Sequence, residues 1–262
     1  MKRAAAIAEA QLHASRWIPL TSDQSLVLDI VHFARQIPVF PVERRFDLSA
    51  LAAYRAATQP RISWSMIFLK AYALTAARHP ALRRAFVQWP RPHLVEFPHS
   101  VGRVAIHREH DGDSRLCWAS FQRPEERGLA ALNRHLRWYQ TQPVEVAFDK
   151  QVQFSQLPTI VRRLVWWWNL NVGGKRRASR LGTFSISSLA GQQALNRGHP
   201  SLLTTSLTYG PLDERGQALV TLLCDHRVLD GVPAAAALAD LEEVLNGEIC
   251  HELASAARLK AA

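Results

Sequence analysis

An apolar run, Ala218-Leu-Val-Thr-Leu-Leu-Cys224, breaks off into the polar heptapeptide Asp225-His-Arg-Val-Leu-Asp-Gly231. The run reads as a buried strand. The residues that follow, Val232-Pro-Ala-Ala-Ala-Ala-Leu-Ala-Asp-Leu-Glu-Glu-Val-Leu245, read as a helix with proline in its first turn. This arrangement puts His226 at a strand end, between Asp225 and Asp230 and ahead of Gly231. Histidine is the side chain whose ordinary titration lies nearest neutral pH, and local hydrogen bonds can orient its ring, so the placement suits acid/base chemistry. A histidine at a strand terminus also serves structure alone. These residues by themselves leave both readings open.

A wider pattern narrows them. Asp-His-Arg-x-x-Asp-Gly at the end of a strand, followed by an Ala-rich helix near the C-terminus, resembles the catalytic domain of the dihydrolipoamide acyltransferases. Those are the core subunits of 2-oxo acid dehydrogenase complexes, and chloramphenicol acetyltransferase shares their fold. A second block, Gly182-Thr-Phe-Ser-Ile-Ser-Ser-Leu189, is similar to that family's serine strand and lies upstream of the histidine motif at about the family's distance. A third is looser: Ile37-Pro38, then Phe46-Asp-Leu-Ser-Ala-Leu51, then a helix around Phe68–Leu74 that ends near His79-Pro80. Together the blocks run from about residue 25 to 250. The chain departs from the family pattern at Leu223, where a small hydroxyl residue is usual, at Ala190, where glycine is usual, and at Ser25–His32, where basic residues are usual.

The resemblance implies an α+β, chloramphenicol acetyltransferase-like two-layer sandwich, with a mixed sheet and flanking helices. It implies that His226 is the general base and that Ser187 donates to the oxyanion of a tetrahedral intermediate, a contribution worth roughly two to three orders of magnitude in rate. Strand alternation puts Ser185 on the same face as Ser187 and Ser188 on the other, and both are weaker candidates. Asp230, Asp225 and Arg227 are expected to hold the loop around His226. Gly231 is expected to permit a turn or a close approach that a side chain would block. In the family the site lies between subunits of a trimer, so a homotrimer is expected, with coenzyme A or acyl-CoA as substrate and no metal. The acceptor would be a small molecule or a separate lipoyl or acyl carrier protein.

The family's lipoyl and subunit-binding domains are not evident. The expected division is a helical extension over 1–24 and a catalytic domain over 25–262. Lys150 has no compact β-rich domain around it and reads as an exposed lysine rather than a lipoylation site, so no covalent lipoyl group is expected on this chain.

Composition adds bounds. A chain of 262 residues, 48% hydrophobic, suffices for one large core. Cys117, Cys224 and Cys250 are odd in number and lack metal-ligand spacing, so a reducing cytoplasm is expected. The formal charge of +10 fits coenzyme A, an anionic membrane surface, nucleic acid, or simply a basic surface that resists self-association. No zinc-finger, helix-turn-helix or RNA-binding signature accompanies it, and nucleic acid is not expected as a partner.

The remaining pattern mixes strands and helices without a strict βαβ rhythm. Residues 1–16 read as helical, 17–25 as a connection, 38–47 as extended and 63–78 as the strongest helix. Two strands are expected between 93 and 109 and another over 115–121, with helices over 125–142 and 157–170. Strands follow at 182–188, 203–209 and 218–224, then a last helix over 232–246. The segment Leu157-Pro-Thr-Ile-Val-Arg-Arg-Leu-Val-Trp-Trp-Trp-Asn-Leu170, with Gly173-Gly-Lys-Arg-Arg-Ala-Ser-Arg180 after it, stands apart. Tryptophans between arginines suit peripheral contact with a membrane, a groove for an acyl chain, or a helix packed on its neighbours with arginines over the indoles. Two alternatives to a stand-alone acyltransferase therefore stay open: a non-catalytic trimeric scaffold of the same fold, and a lipid or carrier-protein acyltransferase working at a membrane surface.

Overall fold

The computed structural model describes residues 17–110 and 113–261. The expected helix over 1–16 lies outside the described residues. The first described helix, α1 (Ser22–Ala34), begins inside the segment read as a connection. Its start is fixed by a capping box: Gln24 N–H donates to Thr21 Oγ1 and Thr21 N–H donates to Gln24 Oε1. The helix therefore runs straight through the expected division at residues 24 and 25.

The chain continues through β1 (Val39–Asp47), α2 (Ser49–Ala57), α3 (Trp64–Arg78), a short ribbon of β2 (Arg84–Val87) and β3 (His93–Glu96), then β4 (Val101–His110) and β5 (Asp113–Gln122). Next come α4 (Leu129–Thr141), α5 (Val144–Ala147), α6 (Asp149–Ser155), α7 (Thr159–Asn171) and α8 (Gly174–Leu181). The C-terminal part holds β6 (Phe184–Ser187), β7 (Thr205–Tyr209), β8 (Gln217–Asp225) and α9 (Gly231–Val244), which passes through one π-helical turn into α10 (Cys250–Ala261). The last helix thus extends well past the expected end at 246, and β2, α5, α6 and α8 were not foreseen.

Six strands form one mixed sheet in the order β1-β8-β7-β6-β4-β5. β4, β6 and β7 are parallel, while β8 runs antiparallel to both β7 and β1. One face is apolar: Phe184, Ile186, Leu207, Val220, Leu222 and Cys224 meet Met66, Phe68 and Tyr72 of α3 and Ala237 and Leu241 of α9 in one buried cluster. Each large side chain buried this way stabilises the fold by roughly 1.5–3 kcal/mol. The hydroxyl of Tyr72 stays satisfied inside this core by donating to Thr205 Oγ1 at 2.6 Å. Gly102 lets α3 approach β4 closely, since a Cβ there would lie 2.3 Å from Leu69 Cδ1 and 2.9 Å from the Phe184 ring.

The opposite face is polar. Register partners share a face, so Ser185 stands beside Ser206, and Ser187 stands in a row with Thr208, Thr221 and Glu43. The segment 190–203 crosses this face, tied down where Arg197 pairs with Glu43 at 3.3 Å and His199 meets Ser206.

Candidate active site

His226 is the first residue beyond β8. Its N–H donates to Pro38 O at 2.9 Å, which carries the β1–β8 ladder one residue further. The N–H groups of Val228 and Leu229 then both donate to Asp225 O, curling the chain into a single turn. The Asp225 side chain is 1% exposed, and the loop closes around it. Arg227 donates to it from Nη2 at 2.7 Å, from Nε at 2.9 and 3.2 Å, and from its own backbone N–H at 3.0 Å. The Arg227 guanidinium lies 4.6 Å over the ring of Phe86. Leu229 is buried behind the turn. With its neighbours anchored inward, His226 projects outward with 57% of its side chain exposed. Its Nδ1 lies 3.3 Å from Asp230 Oδ1, and its ring centroid is 4.7 Å from that of Phe40.

Asp230 therefore faces the histidine, and its side chain makes no capping bond to α9. Gly231 departs from its expected role. It opens α9 without positive φ, and a Cβ placed on it would meet nothing within 4 Å of the chain. Neither reason for glycine operates within one chain.

Sequence reasoning missed Arg177. It is 2% exposed and donates to the carbonyls of Phe86, Leu170 and Leu202 at 2.7, 3.2 and 3.0 Å. Burial, and then the Arg227 charge, push its pKa down to about 10, while Asp225 opposes the shift. In the sequence it is one cation among several in a basic run, with no signal of its own. Phe40 was read only as part of an extended segment.

The three serines of the second block have different fates. Ser185 Oγ donates to Ser206 Oγ at 2.6 Å, and Ser206 Oγ is 2.9 Å from His199 Nε2. Burial lowers the pKa of His199. Ser188 Oγ donates to Tyr209 O at 2.7 Å and accepts from Ala190 N–H at 3.1 Å. Ser187 is partly exposed, and its hydroxyl has no hydrogen-bond partner among the described residues. The hydroxyl of Thr208, beside it on β7, is buried and likewise unpaired. Of the three, Ser187 has the hydroxyl available to an incoming group.

One chain does not bring Ser187 and His226 together. Ser187 ends β6 in the row of Thr208 and Thr221, and His226 lies five residues beyond Thr221 along β8. At about 3.3 Å per residue this is roughly 17 Å along the strand, with two inter-strand spacings of about 4.8 Å across it. Among the described residues no three His, Cys, Asp or Glu side chains cluster as a metal ligand set.

Helix α7 lies near the His226 end, since Arg177 of the following helix bonds both Leu170 O and Phe86 O. Its buried positions include Arg162 and Asn169, while Ile160, Leu164 and Trp168 are 75%, 62% and 54% exposed. Arginines packed over indoles, one of the readings open for this helix, are not found in it among the described residues. The cation–ring contacts are Arg55 on Trp64 and Arg227 on Phe86.

No protein-family model and no curated protein sequence matches the chain. Solved structures do. A probable dihydrolipoamide acetyltransferase from Listeria monocytogenes superposes with a TM-score of 0.66 at 16% identity, over 89% of this chain and 95% of that one. A truncated catalytic core of the 2-oxoacid dehydrogenase multienzyme complex from Thermoplasma acidophilum gives 0.66 at 14%, over 89% and 99%. The dihydrolipoamide acetyltransferase of Azotobacter vinelandii gives 0.65 at 14%, over 93% and 96%; that structure addresses the role of a serine, a histidine and an asparagine in its catalytic mechanism. At these identities the likeness establishes the fold. This chain has the α+β acyltransferase fold of the dihydrolipoamide acyltransferase catalytic core.

Proposed function

We propose that the chain moves an acyl group between coenzyme A and a thiol, hydroxyl or amine acceptor, at a site shared between two copies in a homotrimer. The observation that carries this reading is the placement of an available Ser187 hydroxyl and an outward-facing His226 at opposite ends of one sheet. A single chain cannot use them together. A ring of three copies can, with the histidine of one facing the serine of the next, because head-to-tail contacts close under threefold symmetry.

With Asp230 near Nδ1, the other ring nitrogen, Nε2, is the one free to take the proton of the attacking acceptor. The acceptor's lone pair forms the new bond to the thioester carbonyl carbon, and the resulting oxyanion accepts a hydrogen bond from Ser187. Collapse breaks the carbon–sulfur bond, and the departing thiolate of coenzyme A takes the proton back from the imidazolium. No covalent enzyme intermediate forms. The phosphates of coenzyme A would meet a chain of formal charge +10. The acceptor is a small molecule or a group carried on a separate lipoyl or acyl carrier protein.

Titration calorimetry with coenzyme A on the wild type and His226→Ala, with molar mass from light scattering, tests the reading. The expected result is a trimer that binds coenzyme A and turns over acyl-CoA in a His226-dependent way. A trimer indifferent to coenzyme A and acyl-CoA would favour the non-catalytic scaffold.

A further inference from the structure

Helix α7 is inside out. The spacing of four that unites Ile160, Leu164 and Trp168, and the parallel pair Val161 and Val165, form one continuous side, and all five are at least 40% exposed. Trp167 joins them at 41%. The opposite side carries Arg162, 4% exposed and bonded to buried Asp29, and Asn169, 5% exposed and bonded to Val165 O and Arg180. A helix that buries its charge and presents a row of large apolar side chains to the outside is built to be covered.

The charge around it selects the cover. Between Asp149 and Asp213 the chain has no carboxylate, and eight cations fall in that stretch: Lys150, Arg162, Arg163, Lys175, Arg176, Arg177, Arg180 and Arg197. Arg162 and Arg177 are spent inside the protein, but Arg163, Arg176 and Arg180 reach the surface at or just after α7. At the far end of α7, Trp89 N–H donates to Asn171 O at 2.9 Å, which sets a 55% exposed indole and the exposed Arg91 beside the same rim. Tryptophans and aliphatic side chains rimmed by arginine match the chemistry of a lipid interface, where rings sit at headgroup depth and cations meet phosphate. We propose that α7, with the start of α8 and the Trp89 loop, is a peripheral docking face for an anionic lipid surface. No described helix is long and apolar enough to cross a membrane, so the contact lies in the plane of the interface.

The test uses the full chain with vesicles of phosphatidylcholine alone and of equimolar phosphatidylcholine and phosphatidylglycerol. Sedimentation with the anionic vesicles only, reversed by salt and accompanied by a blue shift of tryptophan emission, is the expected result. The double variant Leu164→Glu with Trp168→Glu should weaken that binding by at least about tenfold, with unchanged circular dichroism and unchanged molar mass by light scattering. Arg176→Glu should weaken it without removing the emission shift at high protein concentration. Failure to sediment with anionic vesicles overturns the proposal. So does equal binding by the double variant, which would leave charge alone. A fall in the variant's molar mass also overturns it, because the stripe would then be a contact between copies of the chain.

Discussion

Ser187 and His226 occupy opposite ends of the same sheet, separated by five residues of β8 and two strand spacings. The antiparallel run of β8 against β7 produces the separation. It turns the question of activity into a question of assembly.

Mixed trimers check this directly. Ser187→Ala and His226→Ala homotrimers should each lose two or more orders of magnitude in turnover. Unfolding and refolding the two together should restore about a quarter of wild-type activity, because three of every four random trimers are mixed and each holds one intact site in three. Activity that stays at the level of the parents would place both residues in one chain's site, or in none.

The buried Asp225 carboxylate holds the His226 loop closed through Arg227. Asp225→Ala leaves the Arg227 guanidinium without its counter-charge and should destabilise the fold by up to about 3–5 kcal/mol. A lower denaturant midpoint at an unchanged m-value is the expected signature.

Asp29 is 1% exposed and joins α1 to α7 through Arg162 at 2.7 Å and Arg163 at 3.0 Å. Asp29→Ala should cost about 3–5 kcal/mol, because Arg162 is left charged and buried. Arg163→Ala removes only the half-exposed partner and should cost no more than about 1 kcal/mol. Asp29→Leu combined with Arg162→Met should recover most of the loss; a sum of the two single effects would show that the pair does not couple.

The three cysteines are buried and unpaired with one another. Burial first, and then the Asp225 charge, push the Cys224 thiol up to about 12; burial, opposed by Arg115, takes Cys117 up to about 11. Alkylation of the native protein at neutral pH should leave both unmodified, and both should react on unfolding. The folded state keeps these protons to higher pH than the unfolded chain, whose thiols titrate near 9. The stability they contribute is therefore complete below about pH 9 and is lost as the pH rises through 11 to 12. Denaturant midpoints measured at neutral pH and above pH 9 should fall in that order, and a rising midpoint would contradict the assignment.

Local signals carried far in this chain. The apolar run 218–224, the heptapeptide after it and the helix beyond are each set by neighbouring residues, so periodicity and turn chemistry expose them directly. The same holds for Ser63–Arg78, seen as α3, and for the extended segment seen as β1. Reading 17–25 as a connection misses the start of α1, although Thr21-x-x-Gln24 is a capping box. Ser187 could be singled out by its motif, whereas its freedom from partners depends on Ser206 and Tyr209 having engaged Ser185 and Ser188.

The sequence by itself determined most of the elements, because helix and strand propensity and the strand-to-helix turn at His226 are properties of adjacent residues, and the resemblance of its two motifs to the dihydrolipoamide acyltransferases singled out His226 and Ser187. Only the tertiary structure decided that Ser187 and His226 stand apart, that Arg177 is buried against the carbonyls of Phe86, Leu170 and Leu202, and that α7 turns its apolar side outward. Each depends on strand order, on register or on a partner distant in the sequence, such as Phe86 for Arg177 or Asp29 for Arg162. Burial is a relation between distant segments, and a local pattern carries no record of which segment will lie against it.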